Sequence, residues 1–124
     1  MNWVADTSWL YGLYDRADEN YANARRQAAE AGLVLVNPSI ATEYLDLVRH
    51  KSGREASSAA QVALMALPQL RFTDAPKLVV LARIFARHRG LSWADASAIA
   101  TALDEGADLR TFDRDQRKAF EALR

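Results

Sequence analysis

The sequence contains no cysteine among its 124 residues. This absence excludes disulfide bonds, zinc–thiolate sites and thiol nucleophiles, and it suits a reducing compartment. The formal net charge is zero, so the chain as a whole exerts no attraction on nucleic acid or on acidic surfaces. Any site for an anionic ligand must therefore come from the local arrangement of a few side chains.

Long apolar runs and secretory features are also missing. No stretch approaches the roughly 20 apolar residues that a membrane helix needs. The first residues have no basic segment ahead of the apolar ones, and Asp6 interrupts them early, so they predict a first strand rather than a signal peptide. We expect a cytoplasmic protein without a membrane segment.

Half of the residues are hydrophobic and about a quarter are charged, which is the composition of an ordinary globular protein. A chain of this length has room for one hydrophobic core. No repeat, linker or low-complexity segment divides it. The prediction is a single domain over residues 1–124.

The hydrophobic pattern alternates between short apolar runs and segments of helical periodicity. Strands are predicted at Trp3–Ala5, Leu33–Val36, Leu70–Phe72 and Leu109–Thr111. Helices are predicted after Ser8, over Asp18–Ala31, from Ser39 as N-cap to Gly53, over Arg54–Leu67, from Pro76 to His88, over Trp93–Glu105 and from Asp115 onward. The alternation predicts an α/β fold in which a short, mostly parallel sheet of four or five strands has helices on both faces.

Two acidic residues follow predicted strands. Asp6 comes directly after the first strand, and Asp113 comes just past the last one. Ligands of open α/β sheets bind outside the carboxyl ends of the strands. If these strands are parallel neighbours, both carboxylates project into the same crevice.

Two further acids lie on helices at positions that face the sheet. Asp95 precedes Ile99 by four residues, so it shares the apolar side of its helix, while Ser97 and Thr101 are assigned to the opposite, polar side. Glu43 follows Ile40 by three residues and lies at the edge of a buried stripe. We therefore expect Asp6, Glu43, Asp95 and Asp113 to meet in one crevice.

Four carboxylates in one crevice would repel one another and would be costly to desolvate. A divalent cation would make the arrangement tolerable, and ligands that are all oxygen favour magnesium or manganese over zinc. Such an ion could polarise a phosphate and activate a water molecule. The pattern predicts metal-dependent hydrolysis of phosphodiester bonds.

Each acid also has a purely structural explanation. Asp6 could cap the first helix, Asp95 could interact with the positive end of its helix, and Glu43 could be a solvated edge residue. Asp113 and Asp115 could cap the last helix. It is the agreement among four positions that favours a common site.

Other conspicuous side chains are interpreted more plainly. Trp3, Trp9 and Trp93 are expected in the core or at an interface rather than as platforms for nucleotide bases. Arg110, Arg114 and Arg117 flank the acidic edge, which makes them candidates for contacts with the phosphates of a substrate.

Two other enzyme classes place an aspartate after a first strand. Haloacid-dehalogenase-like phosphatases need a second aspartate two positions later, where this chain has Ser8. Phosphotransfer receiver domains need a lysine at the end of a late strand, whereas Lys118 lies in the predicted terminal helix. Neither class fits.

The order and surroundings of the acids resemble the PIN-domain ribonucleases, and more narrowly the VapC-type toxins of type II toxin–antitoxin modules. The matching segments are VADTSWLYGL with Asp6, NPSIATEYLDLV with Glu43, LSWADASAIATALDEGADL with Asp95 and LRTFDRDQ with Asp113. The resemblance covers nearly the whole chain. Two positions depart from it: Gln116 replaces a frequent aromatic residue, and Arg110 interrupts an aliphatic last strand.

The resemblance implies a PIN-like domain in which the four acids hold Mg²⁺, with Mn²⁺ as a substitute, and cleave RNA. It implies a supporting hydrogen bond from Thr111 and leaves the role of Asp115 open. It further implies a homodimer and a VapB-like antitoxin as partner. The non-enzymatic alternative is a catalytically silent PIN-like module that binds protein or RNA.

Overall fold

The computed structural model describes all residues from Met1 to Arg124. Four strands are present: β1 (Trp3–Ala5), β2 (Val34–Val36), β3 (Leu70–Phe72) and β4 (Asp108–Arg110). Six helices accompany them: α1 (Thr7–Tyr14), α2 (Tyr21–Glu30), α3 (Pro38–Ala66), α4 (Leu78–Arg87), α5 (Trp93–Glu105) and α6 (Arg114–Leu123). The predicted α/β fold with a short central sheet is confirmed.

The sheet has the strand order β3-β2-β1-β4, and every pair of neighbours is parallel. Strands β1 and β2 occupy the centre, and all of their residues are buried. Burial at successive positions requires cover on both faces of the sheet, because adjacent side chains of a strand point to opposite faces. The unbroken apolar runs in the sequence have this origin.

Helix α3 is interrupted at Gly53, whose backbone has φ of 91° and ψ of 177°. An L-amino acid rarely adopts this φ, which glycine reaches without steric cost. The predicted division of this region at Gly53 is thus confirmed. The bend turns the second half of α3, so Ala60 and Leu64 return to the core.

The starts of several helices differ from the sequence prediction; α2, for example, begins at Tyr21 instead of Asp18. Asn37, not Ser39, is the N-cap of α3, and its Oδ1 accepts a hydrogen bond of 2.9 Å from the Ile40 amide. Pro38 therefore occupies the first turn, where its missing amide hydrogen is not needed. Helix α4 begins at Leu78, so Pro76 precedes the helix instead of lying in its first turn.

Helix α5 agrees with its predicted bounds. Ser92 caps its N-terminus by accepting from the Asp95 amide, and Gly106 ends it in the left-handed conformation with φ of 61°. Because the helix starts directly after Ser92, the residues Trp93 to Asp95 form its first turn. The placement of Asp95 in the first turn follows directly.

The core contains Trp3 and Trp9, as predicted, but Trp93 is 53% exposed and lies outside it. No helix combines the length and the apolar character needed to span a membrane.

Candidate functional site

The site lies at the carboxyl edge of the sheet, where β1 and β4 end side by side with Ala5 opposite Arg110. Asp6 immediately follows β1, and Asp113 follows β4 after a two-residue turn. The parallel arrangement of these neighbours brings both residues to the same edge, as expected. Helices α3 and α5 carry Glu43 and Asp95 to this edge from the chain between the strands.

Asp6 is buried, with 3% of its surface exposed. Its Oδ1 accepts hydrogen bonds of 2.9 Å from the Ser8 hydroxyl and from the Trp9 amide, which makes Asp6 the N-cap of α1. Its Oδ2 accepts a hydrogen bond of 2.5 Å from the Thr111 hydroxyl. Burial raises the pKa of Asp6 to about 6 in spite of these three donors. The carboxylate is fixed in place but is costly to ionise.

Asp95 links the acids electrostatically. Its side chain is half-buried in the first turn of α5, and burial raises its pKa; the negative charges of Asp113 and Glu43 raise it further. Asp95 in turn contributes to the raised pKa of Asp6. The four predicted residues therefore share one electrostatic field with Asp95 at its centre.

Glu43 and Asp113 are exposed, on opposite sides of Asp95 in the chain. Asp113 caps α6, because its Oδ1 accepts from the amides of Asp115 and Gln116. Its Oδ2 is left without a protein donor. Glu43 lines an open cleft between α3 and the start of α5, together with Ser39, Thr42, Asp46, Ser92 and Trp93.

None of the four acids has a lysine, arginine or histidine within ion-pair distance. The ion pairs of the molecule use other carboxylates, such as Asp46 with Arg49 at 3.2 Å and Asp108 with Arg110 at 3.0 Å. The negative charge at the carboxyl edge of the sheet is therefore not compensated by the chain itself.

An all-oxygen donor set of this kind has the chemistry that magnesium and manganese prefer. The side chains are not drawn together into a closed ligand shell, however: no three acidic or histidine residues are close enough to hold an ion jointly. Mutual repulsion and the capping bonds of Asp6 and Asp113 oppose closer approach. The metal site therefore stays a prediction that the donor chemistry supports.

Thr111 has the supporting contact that the resemblance implied. Besides donating to Asp6, its hydroxyl accepts from the Asp113 amide at 2.9 Å and lies 3.0 Å from Oε1 of Gln116. A hydroxyl group has one hydrogen to donate, and the shorter distance favours Asp6 as its acceptor. Thr111 thus ties the end of β1 to the start of α6.

Gln116 has a larger role than the sequence suggested. Its side chain is fully buried, and Nε2 donates a hydrogen bond of 3.2 Å to the backbone carbonyl of Asp95. It therefore joins α6 to the first turn of α5 directly beneath the acids. A sequence signal existed: Gln116 is a polar residue on the same helix face as the buried Ala119 and Phe120.

A second buried polar group was missed, and here the sequence prediction was wrong. Ser97 and Thr101 do not face solvent; they are buried and face α3. Nδ2 of Asn37 donates to the Ser97 carbonyl at 3.1 Å and to the Thr101 hydroxyl at 2.9 Å. These bonds join the N-terminus of α3, which carries Glu43, to α5, which carries Asp95.

The three arginines predicted near the acids differ in availability. Arg110 lies 3.9 Å from the centre of the Trp3 ring and pairs with Asp108. Arg117 also binds Asp108, at 3.1 Å, and donates to the Leu109 carbonyl. Arg114 is exposed and has no ion-pair partner, and Asp115 beside it is exposed as well. Of the three, Arg114 is the one free to contact an anion.

A family model described as PIN domain matches residues 4–121. Among solved structures, VapC20 of Mycobacterium tuberculosis, described as a sarcin-ricin loop cleaving toxin, superposes with a TM-score of 0.79 at 22% identity, covering 94% of each chain. PAE2754 of Pyrobaculum aerophilum gives a TM-score of 0.70 at 22% identity, covering 99% of this chain and 92% of that one.

VapBC2 of Rickettsia felis, solved with a DNA fragment from its promoter, gives a TM-score of 0.66 at 16% identity. The match covers 96% of this chain and 93% of the other. No curated protein matches the sequence significantly. At these identities, the structural matches show a shared fold.

Proposed function

This chain belongs to the PIN-domain family, and on that premise we propose that it is a metal-dependent endoribonuclease, the toxin of a type II toxin–antitoxin module. The observation that carries the proposal is the group of four acids around Asp95, which share a field at the carboxyl edge of the sheet and have no cationic partner. The likeness to VapC20, described as a sarcin-ricin loop cleaving toxin, supports the same conclusion.

In this proposal Asp6, Glu43, Asp95 and Asp113 hold Mg²⁺, and Mn²⁺ can replace it. The ion supplies positive charge that polarises the scissile phosphate and lowers the pKa of the attacking water. The side chains around the acids orient the proposed metal ligands. Ser8 and Thr111 hold the Asp6 carboxylate, and Gln116 holds the first turn of α5 through the Asp95 carbonyl.

The proposed partners follow from the same premise. RNA is the substrate, a VapB-like antitoxin is the inhibitor, and the active form is a homodimer in the cytoplasm. Arg114 is the arginine best placed to meet an RNA phosphate, because Arg110 and Arg117 are already bound to Asp108.

Purified protein, freed of any antitoxin, should cleave RNA in the presence of magnesium and stop when EDTA is added. Cleavage is measured on transfer, ribosomal and messenger RNA by gel electrophoresis with mapping of the new ends. Discrete internal products would identify an endonuclease. Failure of active, folded protein to cut any of these RNAs with magnesium or manganese would refute the proposal.

The silent-module alternative is distinguished by thermal unfolding. A ligand that binds only the folded chain stabilises it by about 2.7 kcal/mol at 100 times its dissociation constant, which corresponds to roughly 10 °C in a domain of this size. Magnesium should produce such a shift at pH 7.5. The shift should fall to about half at pH 5, because the pKa of Asp6 is about 6 and proton competition at this carboxyl group weakens ion binding about tenfold.

The control is a buffer without calcium or magnesium at the same ionic strength, which shows how much of the shift comes from general electrostatic screening by the salt. A silent module would show no magnesium-specific shift at either pH, and Asp6→Asn would then not change the difference between the melting temperatures with and without magnesium.

A further inference from the structure

Trp93 is the exposed aromatic side chain beside the acids. It is 53% exposed, whereas Trp3 and Trp9 are at most 5% exposed. It begins α5, two residues before Asp95, and it lines the same open cleft as Glu43. The ring is not part of the buried hydrophobic core.

The ring is held in one orientation. Its Nε1 donates a hydrogen bond of 3.2 Å to the Ser39 hydroxyl on α3. Phe85 of α4 stacks against it with 6.0 Å between ring centres and an angle of 27° between the planes. Because Phe85 covers one face, the exposed area lies on the other face and the edges. The molecule therefore presents a rigid aromatic surface at the rim of the cleft.

We propose that this surface stacks on a base of single-stranded RNA next to the bond that is cut. The inference rests on the proposed function and adds a binding subsite to it. No cationic side chain lines the cleft beside the ring, so the rim around Trp93 offers no direct partner for a phosphate, which in the proposed function binds at the metal ion instead. A neutral base is the part of a nucleotide that fits there, and every base has a face that stacks on indole.

The chain offers a direct optical test, since Trp93 is its one exposed tryptophan. Mixing the protein with a single-stranded 12-nucleotide RNA in a stopped-flow fluorimeter should quench the indole emission before cleavage begins. An abasic oligomer with the same number of phosphates should leave the emission unchanged. Equal quenching by both, or by neither, would overturn the proposal.

Kinetics of two variants separate stacking from simple apolar bulk. Trp93→Leu removes the aromatic face and should raise KM for RNA by about 10- to 100-fold, with kcat within about threefold. Trp93→Phe keeps an aromatic ring and should stay within about threefold of the parent in both. Thermal melts of the two variants check that each is folded. Equal KM values for Leu and Phe would contradict a stacking role.

Failure of this inference can be told apart from failure of the proposed function. If the protein cleaves RNA while Trp93 is never quenched, the subsite is refuted and the nuclease stands. If base-dependent quenching occurs with no cleavage, the stacking of Trp93 on an RNA base stands, whereas the nuclease and the placement of that base next to a cut bond are refuted. If the emission per protein molecule changes with protein concentration and not with RNA, Trp93 lies in a contact between two copies of the chain, and the subsite is refuted.

Discussion

Replacing Asp95 by asparagine should reduce magnesium-dependent RNA cleavage on the order of 10³-fold. The charges of Asp113 and Glu43 act on Asp95, and the charge of Asp95 acts on Asp6, so the loss of Asp95 weakens ion binding at the centre of the group. An effect of several kcal/mol on transition-state charge corresponds to a rate change of that size. Single-turnover cleavage at saturating protein and magnesium measures it.

The same substitution should not destabilise the metal-free protein. A carboxyl group whose pKa is higher in the folded than in the unfolded chain lowers stability at every pH above its unfolded pKa. Burial and the charges of Asp113 and Glu43 raise the pKa of Asp95 in this way. Asparagine has the same shape without the charge, so the melting temperature in EDTA at pH 7.5 should be equal to or higher than that of the parent.

Asp46→Asn is the matched control. Asp46 lines the same cleft as Glu43 and undergoes the same change of charge, but it is exposed and already paired with Arg49. Its replacement should leave cleavage within about threefold, since Asp46 is not among the proposed metal ligands and its charge is already compensated by Arg49. A large loss in Asp46→Asn together with full activity in Asp95→Asn would show that the ligand assignment is wrong.

The fold was predictable because its signals are local. Each buried strand is a short apolar run, and Gly53, Ser92 and Gly106 mark helix ends by residue type alone. The shift at Ser39 arose because two nearby residues could serve as the cap, and the shift at Pro76 arose because no side chain caps the start of α4. Both Asn37 and Ser39 are suitable N-caps, and Asn37 is the one used because Pro38, which follows it, favours the first helical position.

The acidic residues of the candidate site could be predicted from the sequence, but the buried hydrogen bonds that hold the helices carrying them could not. Periodicity placed Asp95 correctly within α5 because one period of the helix relates it to Ile99. The same rule placed Ser97 and Thr101 on the solvent side, since small polar residues are usually exposed. They are buried because Asn37, from a distant part of the sequence, satisfies their hydrogen bonds. Periodicity cannot reveal a partner that lies 60 residues away.

The distances between the acids could likewise not be predicted from the sequence. Strand order brings Asp6 and Asp113 to one edge, but each also caps a helix, and the cap fixes its carboxylate. The capping explanation and the site prediction are compatible for Asp113, because the cap uses one of its carboxylate oxygens and leaves the other free. The structural and the functional interpretation therefore apply to the same side chain.

Replacing Asn37 by aspartate should destabilise the protein by about 3 kcal/mol, although aspartate is as good an N-cap as asparagine. The reason is that Asn37 performs two tasks with its two side-chain groups. Oδ1 caps α3 at the Ile40 amide, and Nδ2 donates to α5. Aspartate keeps the first task. It removes the donor, leaves buried acceptors without a partner and places a charge where no surface is exposed.

Urea denaturation at pH 7.5 measures the change, and Thr42→Ala is the control in the same part of α3. The Thr42 hydroxyl is exposed and donates to the Pro38 carbonyl, so its loss should cost less than about 0.5 kcal/mol. If Asn37→Asp were as stable as the parent, the cap would be the whole role of Asn37. If it is destabilised as expected, and if cleavage also falls at low urea where the variant is folded, then the bond between α3 and α5 sets the position of Glu43 relative to Asp95.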